Sequence, residues 1–128
     1  MGRRGDEAVA AARALIGVRF RPQGRTRETG LDCVGLAAAA LQVDAPRDYP
    51  LRGGSAERTA EMLAAAGLRR ADVLRAGDLV LVAAGPAQLH LGIFTGTGLV
   101  HSDAGLRRVV ERPGPLPWPI IHIWRAED

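Results

Sequence analysis

Cys33 is the chain's one cysteine, and it stands in the run Gly30-Leu31-Asp32-Cys33-Val34-Gly35-Leu36, directly ahead of Ala37-Ala38-Ala39-Ala40-Leu41. This pattern predicts a thiol in the first turn of a helix. The leading N–H groups of a helix have no partner inside it and carry partial positive charge. They favour an anion, so the reactive thiolate is expected to form there more easily than on a free cysteine. Two histidines follow on predicted strands, His90 in Leu89-His90-Leu91-Gly92-Ile93-Phe94 and His101 in Leu99-Val100-His101-Ser102. One poised thiol followed by two imidazoles is the outline of a cysteine hydrolase. Taken singly, each has a blander reading. A lone cysteine is commonly a small buried hydrophobe, and a lone strand histidine a satisfied core or surface residue.

The elements that must hold these residues fall into two halves. Helices are predicted over 6–16, with Asp6 as N-cap and Gly17 as stop, over 33–42, and from the cap Ser55 to Gly67. A Gly/Arg/Pro-rich loop over 17–31 leads to Cys33, and a Pro/Gly loop covers 43–54. Strands are predicted over 78–82, 89–95, 99–102, 106–111 and 118–124, with hairpin turns at Gly96-Thr97-Gly98 and Asp103-Ala104-Gly105. Helices first and an antiparallel meander second indicate an α+β domain spanning 1–128, its helices packed on a sheet of about five strands. Alternation puts His90, Gly92 and Phe94 on one face of their strand. The hairpin then returns His101 beside His90. The Cys33 helix is expected to pack on that same face, with Gly35 and Gly92 allowing close approach.

Composition narrows the class. The chain has 128 residues, 47% of them hydrophobic but only 4% aromatic, so the core must be aliphatic. A single cysteine excludes an internal disulfide. No apolar run is long enough for a membrane span, and no signal peptide is expected from the N-terminal residues; folding in a bacterial cytoplasm fits. The net charge is +3, and all 17 basic residues are arginine. They are scattered, without the basic stripe and interleaved aromatics of a nucleic-acid binder, so no nucleic-acid partner is expected.

Five stretches then resemble the NlpC/p60 cysteine peptidases, papain-like bacterial cell-wall hydrolases: Ala14–Arg21, Gly30–Leu36, Ala76–Leu81, His90–Gly96 and Leu99–Ser102. Their order and spacing match the family over residues 8 to about 125. The compact form and the run Phe20–Arg25 look most like the cell-wall peptidases of phage tails and gene transfer agents. The resemblance implies a papain-like fold, with Cys33 as nucleophile, His90 as general base and His101 orienting its ring. Backbone N–H groups at the helix start would hold the oxyanion. It implies hydrolysis of an amide bond in peptidoglycan stem peptides, the D-glutamyl–diaminopimelate link, without metal or organic cofactor. An N-acetylmuramoyl-L-alanine amidase of the same fold and a non-catalytic tail-tip or baseplate protein are the alternatives. Asp32 and Phe20 are the candidate substrate contacts. For Asp32 the competing role is helix N-cap. Phe20 stands where many members have tyrosine, and Val34 where serine is common. Zinc held by Cys33, His90, His101 and His122 lacks any supporting spacing. A route to the wall by docking on a tail assembly is expected, with the Pro-rich loop at 112–119 and the exposed arginines as the surfaces. Trp118 there would either anchor a partner or cover one end of the sheet.

Overall fold

The computed structural model describes residues 4–45 and 55–126. Helices α1 (Gly5–Arg13), α2 (Cys33–Leu41) and α3 (Ala56–Ala65) precede most of the sheet. A short ribbon of β1 (Arg25–Thr26) and β2 (Gly30–Leu31) sits between α1 and α2. The main strands are β3 (Leu68–Ala71), β4 (Leu79–Gly85), β5 (Gln88–Phe94), β6 (Gly98–Asp103), β7 (Arg108–Pro113) and β8 (Ile120–Ala126). They form one antiparallel sheet of six strands in the order β3-β8-β4-β5-β6-β7. The α+β class holds. The sheet has six strands rather than about five because β3 pairs with β8, Leu68 opposite Ala126 through Ala71 opposite Ile123. Four residues reading Leu-Arg-Arg-Ala carry too little alternation to announce a strand.

α2 is apolar all round, which is the signature of a fully buried helix. Cys33 through Ala37, Ala40 and Leu41 are all buried. Asp32 caps it, its Oδ1 accepting the Gly35 N–H at 2.8 Å. Ser55 caps α3 as expected, its Oγ accepting the Arg58 N–H at 3.1 Å. Helix α1 departs from expectation at both ends. Its N-cap is Arg4, whose N–H donates to Glu7 at 3.3 Å, while Asp6 falls within the first turn. The helix stops at Arg13 because tertiary pairing takes over. Gly17 donates to the Val109 carbonyl at 2.9 Å, and Val18 accepts from the Val109 N–H at 2.8 Å. The loop expected over 43–54 lies outside the described residues from 46 onward.

Two apolar layers sandwich the sheet. The larger unites Leu36, Ala40 and Leu41 of α2 with Leu79, Leu81, Leu91, Ile93 and Val100. The smaller, on the opposite face, joins Val80, Val82 and Leu99 to Leu74, Leu116, Trp118 and Ile123. Helix α2 therefore packs on the Leu91/Ile93 face and not, as expected, on the His90/Gly92/Phe94 face. The two glycines serve other contacts. A Cβ on Gly92 would meet the Leu99 side chain, and one on Gly35 would run into the Gly24 carbonyl beside the ribbon. Leucines fill the α2 side of β5 and leave room for polar rings only on the other.

Candidate active site

Cys33 opens α2, and the thiol is 4% exposed. The helix start is fixed from three sides. The Ser102 hydroxyl donates to the Leu31 carbonyl at 2.6 Å. Asp32 accepts the Gln23 N–H at 2.8 Å and pairs with Arg25 at 3.2 Å. Both of its oxygens are engaged, so its role as helix cap is met by the geometry and its carboxylate is already occupied.

His90 and His101 point from the sheet face opposite α2. Their rings are bonded, His90 Nε2 to His101 Nδ1 at 2.9 Å. The hairpin ladder explains this reach. The β5–β6 register pairs Ile93 with Val100 and Phe94 with Leu99. Beyond those pairs the strands part. Cys33 on one side of the sheet and the His90 imidazole on the other line a single cleft. That cleft has a volume of about 430 Å³ and is lined by Cys33, His90, Asp32, Gln23, Phe20 and Ser102 among others. His101 stands behind His90 and is 3% exposed. Cys33 and His90 share the cleft with no hydrogen bond joining them.

Trp118 completes the arrangement. Its ring centroid lies 5.5 Å from each imidazole, edge-on at 81° to His90 and 87° to His101. Pro117 and Pro119 restrict its backbone, and the Pro119 carbonyl accepts the Ala83 N–H at 3.0 Å. Trp118 covers the sheet, and specifically the histidine pair. The signal available beforehand was the Pro-Trp-Pro run itself, but nothing in it named the target.

The electrostatics correct one expectation. Burial pushes the Cys33 thiol up to about 12, and the Asp32 charge pushes the same way. The N–H groups of Leu91, Cys33 and Val34 favour the thiolate but are outweighed. Burial, with His101 second, lowers His90 to about 4. His101 is lowered as well, chiefly by burial. The resting pair is thus a thiol and a neutral imidazole.

His122 packs on Trp124, ring centroids 6.1 Å apart, and does not line the cleft. Among the described residues, no group of three or more His, Cys, Asp or Glu could hold a metal ion. No described helix is long and apolar enough to cross a membrane.

No protein-family profile matches the sequence, and no curated protein does. Solved structures do match. NlpC1 from Trichomonas vaginalis superposes with a TM-score of 0.70 at 18% identity over 94% of this chain. The NlpC/p60 domain of the peptidoglycan hydrolase SagA matches with a TM-score of 0.57 at 24% identity over 87% of this chain. The chain has the NlpC/p60 fold. The peptidoglycan hydrolase RipB from Mycobacterium tuberculosis adds a TM-score of 0.61 at 19% identity over 96%. The chain spans 44% of the Trichomonas protein, 90% of the SagA domain and 64% of RipB. At these identities the likeness establishes the fold, and function rests on the cleft.

Proposed function

We propose that this protein is a cysteine hydrolase that cleaves an amide bond in peptidoglycan stem peptides. The observation that carries the reading is a thiol and an imidazole in one cleft, with a second imidazole bonded behind the first. A neutral His90 is the form that accepts a proton. Two neutral rings share one hydrogen in the His90–His101 contact. When His90 Nε2 donates it to His101 Nδ1, His90 Nδ1 keeps its lone pair as base. Because the resting proton sits on sulfur, its transfer to His90 accompanies attack. The Cys33 sulfur bonds to the substrate carbonyl carbon, and N–H groups at the start of α2 receive the charge that develops on oxygen. His90 returns the proton to the leaving amine as the C–N bond breaks. Water then repeats the cycle on the thioester, releasing the acid and restoring the thiol.

The finer reading is the D-glutamyl–diaminopimelate bond as target and a phage-type tail or baseplate as the docking partner that delivers the protein to the wall. Two peptidoglycan hydrolases among the structural neighbours support the substrate class. The sequence resemblance to tail peptidases supports the delivery route. Mass spectrometry of muropeptides digested by the purified protein tests the bond, with an amidase product set as the opposing outcome. Fractionation of virion-like particles tests delivery. Recovery of the protein only free of particles and envelope would contradict it.

A further inference from the structure

A second cleft of about 310 Å³ lies against the first and shares Phe20 and Pro22 with it. Its other lining residues are Arg19, Arg21, Thr29 and Arg107. Three exposed arginines therefore line the cleft on the far side of a Phe20–Pro22 ridge from Cys33. None of the three is in an ion pair with a carboxylate among the described residues. Arg19 donates its Nε to the Thr29 carbonyl at 3.1 Å, a neutral partner.

The backbone holds this cluster in place. Phe20 donates its N–H to the Arg107 carbonyl at 2.9 Å, and Leu31 donates to the Arg19 carbonyl at 3.0 Å. Gly30, at φ +119°, leaves room for Arg21, whose Cβ a Gly30 side chain would strike. Arg107 itself is left-handed, at φ +65°, a conformation in which glycine is the unstrained choice. An arginine at that position gives up backbone comfort and adds a third positive charge to the cleft. An observed strain beside a candidate site is a pointer to function.

We propose that the arginine-lined cleft is a carboxylate subsite, taking a free carboxylate of the same peptide whose amide carbonyl lies at Cys33. The guanidinium fork matches a carboxylate in two parallel hydrogen bonds. The inference rests on the peptide-hydrolase reading above, since it takes the anion from that substrate. The ridge between the clefts then spans the stretch of chain between scissile bond and carboxylate.

The test compares a synthetic peptide carrying the D-glutamyl–diaminopimelate link with free carboxylates and the same peptide with those groups as carboxamides. Wild-type protein should prefer the carboxylate form in kcat/KM by about tenfold to a hundredfold, the range expected when a charged hydrogen-bonded partner is lost. The double variant Arg21→Gln/Arg107→Gly should bring that ratio close to one, through KM. Glycine suits the Arg107 backbone, so folding is retained. Arg107→Lys, which keeps the charge and loses the fork, should fall between. An unchanged ratio in the double variant overturns the subsite, as does a wild-type protein without preference. Calorimetric binding of both peptides to Cys33→Ala separates the two readings. A carboxylate preference in binding without turnover of either peptide by the wild type supports the subsite and sinks the hydrolase. Turnover without any carboxylate preference does the reverse.

Discussion

Raising the pH should charge Cys33 far later than it charges a free cysteine. Burial and Asp32 carry the thiol from an ordinary 9.0 to about 12. That gap amounts to about 4 kcal/mol and lowers the thiolate fraction at neutral pH by about a thousandfold. The assay is thiolate absorbance against pH, with iodoacetamide alkylation alongside it, on folded protein and on protein in denaturant. The denatured chain should titrate as a free thiol and alkylate readily. The folded chain should show no thiolate midpoint below that of the denatured chain. Stability carries the same signature. The folded value exceeds the unfolded one, so stability is complete below 9.0 and falls as pH rises from there toward 12. Cys33→Ser should remove that part of the alkaline decline. A folded-state thiolate midpoint below 9.0 would mean that the N–H groups at the start of α2 outweigh burial and Asp32 together, contrary to this expectation.

On the acid side the sign reverses. His90 is lowered from 6.5 to about 4, so stability should drop as pH falls through that window, by about 3 kcal/mol, and His90→Gln should make the drop shallower in urea melts. Trp118→Ala should unshield the imidazoles and move the His90 midpoint up toward 6.5 in an NMR titration, while Trp118→Phe keeps an aromatic cover and holds it low; an unmoved midpoint in the alanine variant contradicts the role given to that ring. Asp32→Asn should cost about 3–5 kcal/mol in denaturant unfolding, because it removes the carboxylate charge from a largely buried ion pair with Arg25 at 3.2 Å; a loss below about 1 kcal/mol would contradict the pairing. Asp78→Ala should be similarly costly, since Asp78 accepts two bonds from Arg125, each 2.7 Å, in a site where its own side chain is 2% exposed.

Local signals carried much of this architecture. Asp32 and Ser55 were legible as caps because side-chain capping is decided within four residues. The meander from β4 to β7 is legible from alternation and turn residues, and counting back from Gly96-Thr97-Gly98 brings His101 beside His90; the return of β8 to lie between β3 and β4 is not, because it depends on distant partners. What escaped depended on distant partners. Leu15 and Ile16 keep helical spacing, yet pairing of residues 17 and 18 with Val109 pulls the chain out of the helix. β3 exists because β8 offers it an edge. The side of the sheet that α2 covers is not legible locally, since alternation defines two faces without saying which one a helix takes. The raised Cys33 pKa is illegible for the same kind of reason. The helix start is local, but the burial that outweighs it comes from the whole fold.

In the proposed reaction Cys33 attacks a peptide carbonyl in the cleft it shares with His90. The most direct test is intact-protein mass spectrometry of a rapid acid quench during turnover of the D-glutamyl–diaminopimelate peptide. The expected result is an acylated protein whose adduct maps to Cys33 and is absent from Cys33→Ala, with peptide cleavage lost in the same variant. Cleavage that persists in Cys33→Ala would contradict it.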